Sequence, residues 1–164
     1  MDLKLTNKRV LITGASKGVG AGIASVFLKE GANVFLVSRG AKQLNKTKNS
    51  FILKHGKNRI KSELCDCTDE SSLELLKERV CDEWQGLDIV IVNVGSGKSV
   101  LDAIPSKDDW SKVWDTNFES ALYTARVFLP LLRESKGCML FVSSIAAMEA
   151  FGAPVNYSTA KTAM

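Results

Sequence analysis

Residues 13–20 read Thr13-Gly14-Ala15-Ser16-Lys17-Gly18-Val19-Gly20, and three of these eight residues are glycine. This glycine turn stands between a short apolar run, Val10–Thr13, and a segment of helical periodicity, Gly18–Glu30. Glycines at such a junction permit a tight turn and a close approach of the backbone to a ligand. The free N–H groups and the dipole at a helix start attract anions, which predicts a site for the pyrophosphate of a dinucleotide. A plain strand-to-helix turn is the alternative interpretation.

Outward from the glycine turn, short apolar runs alternate with longer segments of helical period. This alternation is typical of βαβ units, in which helices cover a parallel sheet on both faces, and it predicts an α/β fold. The predicted strands are Val10–Thr13, Val34–Val37, Ile60–Leu64, Ile89–Val92 and Met139–Val142. The predicted helices are Gly18–Glu30, Ala41–His55, one that begins near Thr68 and Asp69 and stops at Gly86, Asp109–Leu132, and one that begins near Pro154.

The composition is that of an ordinary globular domain. The 164 residues are 45% hydrophobic and 24% charged, with a formal net charge of +4. Such a chain has too much apolar material to be disordered, and no apolar run reaches the roughly 18 residues that a membrane-spanning helix needs. No linker or internal repeat divides the sequence, so we predict a single domain over residues 1–164 and no membrane partner.

The N-terminal segment and the cysteines bear on the cellular compartment. Met1–Arg9 lacks the apolar stretch of a secretory signal, which favours a cytoplasmic protein with four reduced thiols. The cysteine spacing matches neither a zinc site nor a disulfide framework, so we expect no metal. The lysine-rich segment Lys42–Lys61 contains one aromatic residue, Phe51, which favours a solvated helix face over a nucleic-acid site.

The second predicted strand ends in Val37-Ser38-Arg39. Dinucleotide-binding enzymes that use NAD commonly carry a carboxylate there for the ribose hydroxyl. An arginine instead pairs with a 2′-phosphate through charge-assisted hydrogen bonds, so NADP(H) is favoured over NAD(H). Lys17 in the glycine turn would add a second positive charge. The alternative is that both cations are ordinary solvated side chains.

Tyr157 and Lys161 are four residues apart on the last predicted helix, so their side chains share one face. An ammonium beside a phenol stabilises the phenolate, so that such a tyrosine can exchange protons near neutral pH. Ser143 and Ser144 follow the last predicted strand, at the edge where parallel sheets bind ligands. A hydroxyl there can orient a substrate carbonyl, or it can simply cap the loop.

Together these features resemble the short-chain dehydrogenase/reductase family over all 164 residues. The family's TGxxxGxG motif matches residues 13–20, and its YxxxK motif matches residues 157–161. Ser144, thirteen residues before Tyr157, matches the family's catalytic serine. The other matches are Asn117 for the catalytic asparagine, Asp66 with Cys67 for the adenine-contacting segment, and Asn93 with Gly95 for the motif after the fourth strand.

The resemblance implies a Rossmann-like, doubly wound parallel sheet with strand order 3-2-1-4-5, without the last strands of complete members. It implies hydride transfer between a nicotinamide and a carbonyl or secondary alcohol. In the implied catalytic set Tyr157 moves the proton, Ser144 holds the substrate oxygen, Lys161 binds the nicotinamide ribose, and Asn117 supports a water relay. The implied cofactor-binding residues are Gly14, Ser16, Lys17, Gly18, Val19, Gly20, Arg39, Asp66, Cys67, Asn93, Gly95, Tyr157 and Lys161.

Within the family, the sequence looks most similar to 3-oxoacyl-acyl-carrier-protein reductases. This similarity implies a small-molecule or acyl-carrier-bound carbonyl substrate, and a homo-oligomer for the full-length protein. Complete members continue through two further strands, so we expect residues 1–164 to be an N-terminal fragment with poor activity of its own. The second hypothesis is a non-catalytic dinucleotide-binding fragment, or a module that binds a partner through its open strand edge.

Overall fold

Five parallel strands form one sheet in the order β3-β2-β1-β4-β5. The computed structural model describes residues 3–149 and 152–164. The predicted fold class and strand order are confirmed. The strands are β1 (Arg9–Ile12), β2 (Asn33–Ser38), β3 (Ile60–Leu64), β4 (Ile89–Val92) and β5 (Cys138–Phe141). The α-helices are α1 (Gly18–Lys29), α2 (Ala41–His55), α3 (Glu70–Trp84), α4 (Lys107–Trp114), α5 (Ser120–Ser135) and α6 (Val155–Ala163).

Each face of the sheet buries its own hydrophobic core, because successive side chains of a strand point to opposite faces. In β1, Leu11 belongs to the core beneath α3 and α5, which includes Leu73 and Phe128. Its neighbour Ile12 belongs to the core beneath α1 and α2, which includes Leu28 and Leu44. The central strands are apolar on both faces for this reason, and the helices α1, α2, α3 and α5 form the two outer layers.

The helix predicted over Asp109–Leu132 is interrupted by a wider turn, which the prediction missed. A π-helical turn, Asp115–Glu119, joins α4 to α5. In this turn the N–H of Ser120 donates to the carbonyl of Asp115, one residue further back than in an α-helix. A π-helical turn adds one residue to a helix, and this addition does not visibly change the spacing of the apolar residues. The sequence pattern therefore predicted one regular helix.

The strand β5 lies at one edge of the sheet. Leu140 is 49% exposed and Phe141 is 41% exposed, as expected for an apolar strand that pairs on only one side within residues 3–149 and 152–164. In the described part of the chain, none of the helices is both long and apolar enough to cross a membrane.

A charged pair clamps the amino ends of β1 and β4. The Nε atom of Arg9 donates to Oδ2 of Asp88 at 2.9 Å, and Nη2 donates to Oδ1 at 3.2 Å. The backbone N–H of Arg9 donates to the same carboxylate at 2.8 Å. The hydrogen bond from the Arg9 side chain is the main reason why the pKa of Asp88 is below its ordinary value, and burial opposes this shift.

Asp88→Asn is expected to lower the free energy of unfolding by about 1 to 3 kcal/mol at about pH 7, because it removes a charge-assisted pair. A carboxyl whose folded-state pKa is lowered stabilises the fold above its unfolded pKa, about 3.9. That stabilisation is lost as the pH falls through the folded-state pKa, so the difference between variant and parent should be smaller at about pH 2 than at about pH 7. Urea unfolding at both pH values measures this, with Asp82→Asn on α3 as an exposed control. An equal difference at both pH values would contradict the assignment.

Candidate functional site

The glycine turn links β1 to α1 at the carboxyl edge of the sheet. Gly14 and Gly18 have φ angles of 65° and 58°, a region that favours glycine. A Cβ atom on Gly20 would lie 2.5 Å from the carbonyl oxygen of Gly14 and 2.6 Å from Nδ2 of Asn93. Since α1 begins without a side-chain cap, the N–H groups of its first turn are available to an anion.

Helix α2 supports the glycine turn from behind. The hydroxyl of Thr47 donates to the carbonyl of Ser16 at 2.6 Å, and Nε2 of Gln43 donates to the same oxygen at 3.3 Å. These two hydrogen bonds fix the backbone of the turn between its first and second glycines. Neither was predicted, because they join segments that are far apart in the sequence.

Asn93 holds the end of β4 against the glycine turn. Its Nδ2 donates to the carbonyls of Thr13 and Gly14 at 3.0 and 3.3 Å. Its backbone N–H donates to the buried hydroxyl of Thr13 at 2.9 Å. The asparagine therefore sets the shape of the turn as well as lining the cleft beside it.

Arg39 and Asp66 meet across the ends of β2 and β3. Nη1 of Arg39 lies 3.6 Å from Oδ2 of Asp66, and the arginine side chain is 62% exposed. The N–H and hydroxyl of Thr68 donate to Oδ1 of Asp66 at 3.0 and 2.8 Å. Burial alone would raise the pKa of Asp66, but the bonds from Thr68 and the charge of Arg39 outweigh it and lower that pKa. The exposed guanidinium is thus held at the cleft wall with hydrogen-bond donors to spare.

Asn117 lies in the π-helical turn and is fully buried. Its Nδ2 donates to the carbonyls of Val113 and Ser96 at 2.9 and 3.1 Å, and its Oδ1 accepts from the N–H of Ser96 at 2.9 Å. The side chain therefore ties the loop after β4 to the helix pair. A Cβ atom on Gly95 would come within 3.0 Å of both Oδ1 of Asn117 and Nζ of Lys161, so this loop, the turn and α6 meet at one point.

Helix α6 carries Tyr157 and Lys161, and both side chains line the cleft. Lys161 is only 4% exposed, and its ammonium donates to the carbonyl of Val142 at 3.1 Å. Burial lowers the pKa of this ammonium. A buried lysine beside an open cleft is a common feature of functional sites.

The two serines after β5 differ in their surroundings. The hydroxyl of Ser143 donates to the carbonyl of Lys161 at 3.2 Å, and Ser143 lines the cleft. The Oγ atom of Ser144 accepts from the N–H of Ala146 at 3.2 Å and caps a short 3-10 turn, Ile145–Ala147. Ser144 is not among the residues that line the cleft. Its hydroxyl hydrogen is still available to a second partner.

A cleft of about 740 Å³, within the usual size range of ligand sites, brings most of the predicted residues together. Three predicted residues do not line the cleft. Gly20 lies behind the cleft wall against Gly14 and Asn93, and Asn117 lies behind it with a hydrogen bond to Ser96. Ser144 lies beside the wall, next to Ser143. The predicted residues that line the cleft are Gly14, Ser16, Lys17, Gly18, Val19, Arg39, Asp66, Cys67, Asn93, Gly95, Tyr157 and Lys161.

Several residues that line the cleft were not predicted from the sequence. All but Gln43 on α2 lie within two residues of a predicted residue or at the end of a strand, which is the signal that would have found them. These residues are Ser38, Gly40, Gln43, Cys65, Thr68, Val94, Ser96, Gly97, Thr116 and Val142. Ser143, which the sequence offered beside Ser144, also lines the cleft.

Known proteins are similar to this chain in sequence. A Staphylococcus aureus protein named as an uncharacterized oxidoreductase is 31% identical over 161 residues, which cover 98% of this chain and 68% of that protein. A 3-oxoacyl-acyl-carrier-protein reductase of Chlamydia muridarum is 28% identical over 162 residues, which cover 98% of this chain and 65% of that protein.

A solved structure is similar over a comparable span. L-sorbose reductase from Gluconobacter frateurii, complexed with NADPH and L-sorbose, has a TM-score of 0.92 and 29% sequence identity. The similarity covers 99% of this chain and 62% of that one, so the chain spans about two thirds of the length of these relatives. The family model described as short chain dehydrogenase matches residues 8–164. With nearly the whole sequence matched and the fold shared, this chain belongs to the short-chain dehydrogenase family.

Proposed function

We propose that this protein is an NADP(H)-dependent oxidoreductase that transfers a hydride between the nicotinamide and a carbonyl or secondary alcohol. The observation that carries the proposal is the single cleft whose wall includes the glycine turn, Arg39, Tyr157 and Lys161. Its two ends offer different chemistry. One end presents N–H groups and cations suited to phosphates, and the other presents a phenol beside a buried ammonium.

The residues around the glycine turn fit a dinucleotide. Gly14 and Gly18 line the cleft with φ angles that favour glycine, and the first turn of α1 supplies uncapped N–H groups to an approaching pyrophosphate. Arg39 would bind the 2′-phosphate, and Asp66 and Cys67 would contact the adenine. When bound, the nicotinamide supplies or accepts the hydride.

The residues of α6 would manage the proton. Tyr157 would donate a proton to the substrate oxygen during reduction and accept it during oxidation. Lys161 would bind the nicotinamide ribose and favour the phenolate through its charge. Ser144 would hold the substrate oxygen. Because Asn117 already donates both amide hydrogens to Val113 and Ser96, a water relay at this residue would use its acceptor atoms.

The substrate class, assembly and compartment are further parts of the proposal. Similarity to a 3-oxoacyl-acyl-carrier-protein reductase supports an acyl-carrier-bound carbonyl, and similarity to L-sorbose reductase supports a small free carbonyl compound. We propose a cytoplasmic protein that forms a homo-oligomer. Residues 1–164 by themselves are expected to turn over substrate slowly.

Arg39→Asp is expected to weaken NADPH binding about 30-fold, because hydrogen bonds to a charged group contribute about 2 kcal/mol each. NADH binding should be unchanged or stronger, since a carboxylate at this position can bind the ribose hydroxyl. Fluorescence titration of the folded chain with each nucleotide measures both affinities.

The matched control for this titration is Arg59→Asp, which makes the same charge change at the amino ends of the strands, just before β3. This variant should bind NADPH like the parent once the small long-range effect of charge is screened by salt. Equal losses in the two variants would mean that Arg39 acts only through net charge. Equal affinity of the parent for NADPH and NADH would contradict the proposed NADP(H) preference.

The exposed edge of β5 favours one alternative function. Leu140 and Phe141 are both more than 40% exposed on a strand that can accept another strand. A non-catalytic module that binds a dinucleotide or a partner chain would use this edge. Measurable reduction of a ketone by the folded chain would contradict that alternative.

A further inference from the structure

Two cysteines flank Asp66 on the wall of the cleft. Cys65 and Cys67 are each 3% exposed, and both line the cleft. Cys65 directly follows β3 and Cys67 lies in the turn that leads to α3, so only Asp66 separates the two thiol-bearing residues. They also belong to the same hydrophobic core. The proposed function assigns Cys67 a contact with the adenine and gives neither sulfur a part in the reaction.

The contacts around the two thiols make them chemically unequal. The neighbouring Cys67 thiol is the main cause that lowers the pKa of Cys65, and the hydroxyl of Ser72, which donates to the Cys65 sulfur at 3.4 Å, assists. Burial opposes this shift. The same contact with Cys65, together with burial, raises the pKa of Cys67. Cys65 is therefore the better nucleophile, and Cys67 stands beside it as a second thiol.

We propose that Cys65 and Cys67 are a site of reversible oxidation, and that their intrachain disulfide and a dinucleotide in the cleft exclude each other. The second half of this proposal rests on the proposed function. The oxidant is a hydroperoxide, since a small neutral molecule can enter the cleft and reach sulfur atoms that are nearly buried.

The reaction has two balanced steps. The Cys65 thiolate attacks one oxygen of hydrogen peroxide, the O–O bond breaks, and after proton uptake by the leaving hydroxide the products are a sulfenic acid and water. The Cys67 sulfur then attacks the sulfenic sulfur of Cys65, the S–O bond breaks, and the hydroxyl leaves as a second water with the proton of Cys67. Two thiols and one peroxide thus give one disulfide and two waters, and an external dithiol reverses the change.

The disulfide would disturb the part of the cleft that contains Asp66. The backbone N–H of Asp66 donates to Oγ of Ser72 at 3.2 Å, and the hydroxyl of Ser72 contacts Cys65. A disulfide draws the Cβ atoms of Cys65 and Cys67 to about 3.8 Å, which moves the backbone on both sides of Asp66. The carboxylate that holds Arg39 at the cleft wall would move with it. A bound dinucleotide would in turn cover both sulfurs.

The test uses the Cys81→Ser/Cys138→Ser variant, in which Cys65 and Cys67 are the two cysteines that remain. Peroxide treatment followed by N-ethylmaleimide and intact-mass analysis should show the loss of two hydrogens and no adduct, reversed by dithiothreitol. NADPH titration should show at least about tenfold weaker binding after oxidation, and by the reciprocity of coupling NADP⁺ should shift the dithiol–disulfide equilibrium toward the dithiol by the same factor. Saturating NADP⁺ should also slow oxidation, since a bound dinucleotide covers both sulfurs. Peptide mapping of the oxidised natural sequence should locate the same bond without any substitution.

Cys67→Ala in the same background keeps the nucleophile and removes its partner. It should gain oxygen at Cys65 and form no intrachain disulfide. Oxygen uptake without a disulfide in the parent, or a disulfide that leaves NADPH affinity unchanged, would overturn the proposal. If the reduced chain binds no dinucleotide, the proposed function and the mutual exclusion both fail, and the mass measurement still decides whether the disulfide forms.

Discussion

Tyr157→Phe is expected to slow carbonyl reduction by about 10² to 10⁴-fold, the usual contribution of a positioned proton donor. Phenylalanine keeps the ring in the cleft wall and removes only the hydroxyl, so NADPH affinity should change by less than about twofold. Turnover is measured from the loss of NADPH absorbance with the carbonyl compound that the parent reduces fastest. A large loss of turnover with unchanged binding would identify the hydroxyl as part of the chemistry.

The second tyrosine of the chain provides the matched control. Tyr123 lies on α5, where its ring stacks with the guanidinium of Arg126 at 5.7 Å, outside the cleft lining. Tyr123→Phe should leave turnover unchanged. Equal activity of Tyr157→Phe and the parent would refute the proton-transfer role. A folded parent that binds NADPH and reduces no carbonyl compound would favour the binding-module alternative.

Gly20→Ala is expected to destabilise the fold by about 1 to 3 kcal/mol, the usual cost of an overpacked site. The new methyl group would lie 2.5 Å from the Gly14 carbonyl and 2.6 Å from the Asn93 side chain, and both neighbours are held by other hydrogen bonds. Relief of this clash moves the glycine turn, so NADPH binding should fall at least about tenfold. Urea unfolding and nucleotide titration measure the two effects.

Gly22→Ala is the matched control on the same helix, because a Cβ atom there would have no atom within 4 Å. Alanine in a helix interior is favoured over glycine by about 0.5 to 1 kcal/mol, so this variant should be more stable than the parent. The two substitutions are therefore expected to change stability in opposite directions. A tolerated Gly20→Ala would show that the close approach of α1 to the turn is not required.

The amino-acid pattern predicts the fold well because the sheet is buried on both faces. Apolar runs such as Val34–Val37 and Ile89–Val92 lie in β2 and β4, at or within one residue of the predicted bounds. The first helix ends within one residue of the predicted Glu30. The π-helical turn at Asn117 was not predicted, since local periodicity carries no sign of it, and its hydrogen bonds with Ser96 join it to a different loop.

Part of the candidate site could likewise be predicted from the sequence, and part could not. Residues 13–20 and the pair Tyr157 and Lys161 are recognisable from local spacing. All of them line the cleft except the buried residues Thr13, Ala15 and Gly20. The contact of Arg39 with Asp66 and the hydrogen bond from Thr47 to Ser16 join separate βα units, and no local pattern predicts them. The choice between Ser143 and Ser144 rested on the family spacing, and Ser144→Ala compared with Ser143→Ala would separate the two hydroxyls.

The clamp between Arg9 and Asp88 lies at the opposite end of the strands from the cleft. Four strand residues separate the two ends by about 10 to 13 Å, a distance at which the effects of mutations usually add. The molecule can therefore accumulate changes around the proposed catalytic residues while the clamp preserves a margin of stability. Substrate preference can change among relatives without matching substitutions in the core. The reason is that the parallel strands place the cleft at their carboxyl ends and the stabilising clamp at their amino ends.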